Sequence, residues 1–408
     1  MKKDFIRFKK SNTTDIKTKR QKTLYYVSVA LFFAIIIVLN AFVSSHNSVS
    51  NAHPTNCQKA KVVEIKERLS AAQELEGFDK GEGVNIIFEA KVLQGENKGE
   101  VITSVQSWDP NSIVPLKEVS VGDKVLLVEN VISSSSYKYV FADYIRFDTL
   151  ILFIGGFLVM LVLFGQSKGI KTIISLVLTC ISIFMVFIPS VLGGMNIYYW
   201  SVGVCVYIII MTLVVAGGYN KKSLCSGIGC IGGVALCGVL IKLADRMLML
   251  SGLGSDDAAF LAEISIDKPI DLNGVIFAAI IIGAVGAIMD ISMSISSSLF
   301  EIKEKSPYIT KKELITSGLS IGKDIMGTMA NTLILAYIGS SLAMTLLMVA
   351  YNESFLLLFN KEALIVEILQ AVIGSIGILL TMPLTSFVCA AVYQNKKQPV
   401  FDDNNSSN

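Results

Sequence analysis

Asp290 lies 18 residues into an apolar run that starts at Leu272, which on a helix rising 1.5 Å per residue is about 27 Å of depth. A carboxylate placed so deep in hydrocarbon costs from about 3 kcal/mol upward, so it is paired, protonated or turned toward water inside protein. A desolvated acid of this kind is a natural proton or cation site. Steps of about 100° per residue put Gly283, Gly286, Ser294, Ser297 and Glu301 on its face, small toward one end and polar toward the other. The next apolar run answers with Asp324, Gly327, Thr328 and Asn331 on one face. Asn331 is about 9 Å in from Ile325, close to the depth of Asp290 counted from the same end. Consecutive spans pack as neighbours, so a polar pocket between the two half-faces, open to the cytoplasm and sealed outside, is expected. Plainer readings stay open beside it. The serines can bond back to carbonyls four residues earlier, Asp290 can be a protonated packing residue bonded to Asn331, and Asp324 can simply favour a helix N-terminus.

Holding such residues in place requires membrane helices, and the composition supplies them. Of 408 residues 52% are hydrophobic and only 17% charged, against about 25% charge in a soluble domain; a disordered chain, a collagen and a disulfide scaffold are excluded. A span needs about 20 mostly apolar residues. Eight runs qualify: Leu24–Val43, Asp148–Phe164, Ile170–Ile188, Tyr198–Gly217, Leu224–Leu243, Leu272–Leu299, Ile325–Ala350 and Ala363–Val392, the last expected to kink at Pro383. With the N-terminus inside, the cytoplasmic segments hold 20 Lys and Arg, nine of them in residues 1–22, while the short outer loops hold only Lys242, Arg246, Lys268 and Lys361. The positive-inside bias therefore predicts N-in and C-in. The first run is longer than the roughly 7–15 residues of a signal peptide and no clean A-x-A site follows, so an uncleaved anchor is expected.

The expected organisation is a basic tail over 1–23, a first span over 24–43, an extracytoplasmic β-rich domain over 50–147, a seven-helix domain over 148–393 and a tail over 394–408. In the outer domain Ala60–Ile65, Val84–Val92, Glu100–Gln106, Lys124–Val131 and Tyr137–Ile145 read as strands, separated by glycine turns such as Gly95–Gly99 and Gly122-Asp123. Five short strands point to a small barrel or sandwich, with an OB-like barrel among the options. More acids than bases and no basic-aromatic stripe argue against nucleic acid; a docking cap for an envelope protein and a substrate-delivery module are both open. Cys57 is the sole cysteine there, so no internal disulfide forms, and His46 and His53 sit in a linker. Cys180, Cys205, Cys225, Cys230, Cys237 and Cys389 lie in spans without companion ligands, so no metal and no cofactor is expected. Gly229 and Gly233 have the G-x-x-x-G spacing of close helix packing. Thr310-x-x-Glu313 reads as a capping box opening a surface helix, with Gly318 and Gly322 either hinge or packing residues before the seventh span.

The stretch Gly283-Ala-Val-Gly-Ala-Ile-Met-Asp290-Ile-Ser-Met-Ser-Ile295 resembles the signature of the bacterial YibE/F-like membrane proteins, as does Ile321-Gly-Lys-Asp-Ile-Met-Gly-Thr-Met-Ala-Asn-Thr-Leu-Ile-Leu-Ala-Tyr-Ile338. The resemblance implies a multi-pass protein of the bacterial cytoplasmic membrane with one extracytoplasmic domain; it implies no substrate. Function is therefore read from the residues. A secondary transporter of a small molecule or ion, coupled through Asp290, fits an intramembrane acid among glycine-broken helices. A non-transporting sensor, scaffold or envelope-complex subunit is the alternative. An intramembrane aspartyl hydrolase is disfavoured because Asp324 lies shallower than Asp290 and outside a Gly-x-Gly-Asp setting, and no G-x-x-x-x-G-K-[ST] loop is present for ATP-driven pumping. No enzyme activity is expected.

Overall fold

The computed structural model describes residues 2–45, 56–70, 84–95, 97–108, 117–130, 137–254, 256–263, 269–350 and 354–393. His46, His53, the Gly81–Gly83 turn and the C-terminal tail lie outside them. The chain divides into two compact units, one of residues 50–160 and one of residues 1–49 and 161–408.

The first unit is a closed five-stranded barrel of β1 (Cys57–Ser70), β2 (Val84–Val92), β3 (Val101–Trp108), β4 (Lys124–Glu129) and β5 (Tyr139–Tyr144), in the order β1-β2-β3-β5-β4. All its pairings are antiparallel except β3 with β5. β1 pairs with both β2 and β4, and its register shifts at Val62/Glu64 and Ile65/Glu67 bend it enough to close the barrel. Period-two alternation fills the interior: Phe88, Ala90 and Val92 of β2 meet Val125 and Leu127 of β4 and Phe141 of β5. Two buried polar side chains are satisfied. Ser104 donates to the Tyr139 carbonyl, and Gln106 accepts from Val119 N–H and donates to the Lys117 carbonyl, pinning the segment before β4. Tyr144 donates to the same Lys117 carbonyl at 2.6 Å, and burial raises its phenol above the ordinary value. The turns use glycine at positive φ at Gly95, Gly99 and Gly122.

The second unit is helical. Its elements begin with α1 (Lys2–Ser44) and resume within α2 (Phe147–Ser182), whose residues up to 160 belong to the first unit; α2 continues through a π turn at Ile183–Phe187 into α3 (Ile188–Leu192). Then follow α4 (Ile197–Thr212), ending in a second π turn at Leu213–Gly217, α5 (Lys221–Leu248), α6 (Asp256–Glu263), α7 (Leu272–Lys305), α8 (Lys311–Ser340), α9 (Leu342–Ala350), α10 (Phe355–Leu358) and α11 (Glu362–Tyr393). Among the described residues six stretches are long and apolar enough to cross a membrane: Thr23–Ser44, Phe147–Leu192, Ile197–Gly217, Lys221–Leu248, Leu272–Lys305 and Glu362–Tyr393.

Three of the eight expected runs come out differently. The second and third share the stretch Phe147–Leu192, but Gln166 breaks it with φ 48° and ψ −126°. Gly169 packs directly on the Leu161 carbonyl, eight residues back, where a straight helix would hold them about 12 Å apart. The chain therefore turns sharply at Gln166, and only glycine fits at 169. The expected seventh run, Ile325–Ala350, is divided at Ser341 between α8 and α9. α8 starts far earlier, at the Thr310/Glu313 capping box, and with Lys323, Asp324 and Asn331 in its length it falls short of the apolar character of the other six. Of the two readings of Gly318 and Gly322, the contacts are those of packing residues. α8 is continuous through both, and each is buried in close contact, Gly318 with Ser386 and Gly322 with Met382.

α5, α7, α8 and α11 form the inner bundle. Gly229, Gly233 and Cys237 of α5 meet Thr385, Thr381 and Gly377 of α11, in antiparallel steps of four residues. The same α5 face touches Ser292 and Ile288 of α7, also antiparallel. α8 runs antiparallel to both α7 and α11, with Gly318 against Leu299 and Ser386 and Gly322 against Ile295 and Met382. Thus α7 and α11 run parallel, and helices of opposite direction flank them. α4 joins through Ile197 against Gly274 and the Tyr198 ring 4.9 Å from that of Phe277. α1 packs beside α4 and the second π turn, where Tyr207 of α4 donates to the Phe32 carbonyl and Ser28 bonds Tyr219, just past that turn.

Candidate functional site

α7 has two faces. Ala284, Ile288, Ile291, Ile295 and Leu299 are buried in the bundle, whereas Gly283, Gly286, Asp290, Ser294 and Glu301 lie on the opposite, accessible face. Asp290 stands at the centre of that face and has no hydrogen-bond or ion-pair partner among the described residues. The α8 contacts interpolate to Gly327–Ala330 at its level, so Asp290 and Thr328 stand at matched depth.

Opposed they are not. α8 turns Gly318, Gly322, Met329 and Leu333 toward the bundle, and this leaves Asp324, Gly327, Thr328 and Asn331 on its own accessible face. No bond joins Asp290 to Asn331 among the described residues, and where a pocket open to the cytoplasm was expected between them there are two accessible polar faces. The reason lies in the packing stripe. Small glycines bring α8 close to α7 and α11, and that close approach fixes the helix rotation that turns Asn331 away.

Individual roles separate accordingly. Glu301 lies 3.8 Å from Lys222 of α5, whose ammonium also donates to Ser297 at 3.4 Å, so this acid ties two helix ends together. Thr328 bonds back to the Ile325 carbonyl. Ser296 does not bond back along its own helix: it donates across to the Lys222 carbonyl and bonds Tyr393 at 2.8 Å. Among the packing glycines, Gly229 and Gly233 press on Thr385 and Thr381, Gly283 lies under the Tyr337 hydroxyl, and Gly286 and Gly327 face open space.

Two features escaped the sequence reading. The first is a buried hydroxyl ladder: Ser292 donates to the Ser226 carbonyl and bonds Thr385, while Ser296 and Tyr393 continue the seam toward the helix ends. The second is a pair of acids on α11. Glu362 accepts from Ser251 N–H, Ser251 hydroxyl and Gly252 N–H, clamping the loop after α5. Glu367, one and a half turns further in, borders a cavity of about 330 Å³ that Gln370, Asp257, Leu272, Val366 and Ala279 also line. A Glu and a Gln three residues apart inside an apolar helix was the available signal.

Ala279 belongs to the same accessible α7 face as Gly283, Gly286 and Asp290. One face of one helix thus carries a cavity wall, a glycine capped by a tyrosine hydroxyl, and an unpaired mid-length carboxyl. A YibE/F-like family model matches residues 153–395, which include all of these positions. The chain belongs to the YibE/F-like family. No curated protein and no solved structure matches it. The matched region spans the helices from α2 to α11 and leaves the barrel outside, so family membership characterises the bundle and its apolar helices mark a multi-pass membrane protein.

Proposed function

We propose that this YibE/F-like protein is a secondary transporter of the bacterial cytoplasmic membrane, crossing it eight times with both termini inside. It moves a small molecule or ion along the accessible face of α7. The observation that carries the reading is Asp290, an unpaired acid at mid-length on the face that begins at the cavity wall. Hydrocarbon does not tolerate such a group, so this face meets water or protein. Eight crossings are supported by the turn at Gln166, which divides Phe147–Leu192, and by α8, which accompanies α7 and α11 from Gly318 to Tyr337. The Lys and Arg bias supports the direction. The strand order with a parallel β3–β5 pair supports an OB-like barrel, which this topology places outside as a docking or delivery domain with no nucleic-acid role. Asp324 and Asp290 lie on helix faces that do not meet, which speaks against a shared-proton hydrolase pair.

A second reading has its own observation. Gly286 and Gly327 are small, accessible and unpacked, as expected if this face docks an envelope partner and the protein is a subunit or sensor.

Two experiments decide. In a Cys57→Ser background a Glu100→Cys variant labels with an impermeant maleimide on intact cells; protection until the cells are lysed overturns the topology. Asp290→Asn, present in the membrane at wild-type level, reproduces the metabolite profile of the deletion strain. A wild-type profile removes Asp290 as coupling group, and a loss of co-purifying envelope proteins with unchanged metabolite levels supports the subunit reading instead.

A further inference from the structure

We propose that the cavity at the Glu367 end of the α7 face binds a small amphiphilic amine, with its ammonium on the Glu367 carboxylate and its apolar part against Leu261, Leu272 and Val366. The volume, about 330 Å³, is that of a small-ligand site. Glu367 lines this cavity, and its Oε2 accepts no hydrogen bond among the described residues. An acceptor left in this state is costly, and a charged donor satisfies it best. Gln370, one turn further along α11, offers a second polar contact, and Asp257 of α6 adds negative charge at the rim.

The rest of the lining sets the chemical class. Among the described residues no Lys or Arg lines the cavity, so there an anion would meet two acids and no counter-charge. A bare divalent ion needs six or more oxygen ligands, whereas these walls are chiefly Leu, Val, Ile, Ala and Met and no metal-holding group of three occurs among the described residues. An organic monocation with a hydrocarbon body matches both halves of the site. Binding here requires neither flux nor Asp290, so the assignment goes beyond the transport reading and stands apart from it.

Phenethylamine is a suitable probe, with 2-phenylethanol as its neutral counterpart. Both are titrated by saturation-transfer NMR on the purified full chain in nanodiscs. Saturable amine binding is expected, at least tenfold tighter than the alcohol and weakened at least tenfold by Glu367→Gln. Ala279→Phe, which fills the cavity and keeps the carboxyl, also removes binding and decides the matter if Glu367→Gln does not fold. Equal binding of amine and alcohol, absence of saturable amine binding, or wild-type affinity in Ala279→Phe overturns the proposal.

Discussion

A leucine at position 233 is expected to break the inner bundle. Gly233 is buried where α5, α7 and α11 meet, and a Cβ there would collide with the Thr381 hydroxyl and lie 3.2 Å from Ile288. Thr381 cannot simply rotate away, because its hydroxyl donates to the Gly377 carbonyl at 2.7 Å and Gly377 is itself packed on Cys237 and Ile288. Overpacking of this kind costs about 1–3 kcal/mol, and the displaced hydroxyl adds about 1 kcal/mol. Against a total stability of roughly 5–15 kcal/mol, Gly233→Leu should lower the yield of folded protein sharply and move its melting transition in detergent down. Gly327→Ala is the matched control: nothing lies within 4 Å of its Cβ position, and alanine is the better helix former by about 1 kcal/mol. A Gly233→Leu protein that melts with the wild type would mean that α5 and α11 do not approach as described.

Much of this architecture is legible in residue order alone. The barrel strands follow from period-two alternation between glycine turns, and α7 and α11 from apolar length. Rotation about a helix axis is less accessible. Rise per residue puts Asp290 and Asn331 near one depth, yet whether they face each other depends on which stripe of α8 lets the backbones approach, and Gly318 and Gly322 decide that only once Ser386 and Met382 are known to stand opposite. The hydroxyl ladder is hidden for a related reason. Ser292, Ser226 and Thr385 come from three distant helices, and each serine in isolation has a local carbonyl it could equally bond. Glu367 was overshadowed by position: an acid near the start of a span reads as interfacial until a cavity is found beside it.

Truncating Phe88 is expected to unfold the barrel and leave the bundle standing, which would separate what the two units contribute. Phe88 is fully buried on β2, the strand paired on both sides by β1 and β3, and it meets the inward side chains of β4 and β5. Phe→Ala at such a site costs about 3–5 kcal/mol because the tight closed interior collapses only partly around the hole, and a domain of this size has little more than that to lose. Phe88→Leu should cost under about 1.5 kcal/mol. In the full chain, protease should then cut Phe88→Ala within residues 50–147 at temperatures where the wild type is intact, while the helical transition stays in place; equal resistance would contradict the core assigned here. The same variant bears on function. If the barrel delivers substrate, its unfolding reproduces the metabolite profile of the deletion strain although Asp290 is untouched, whereas a wild-type profile leaves the barrel a docking cap and confines any translocation to the helices.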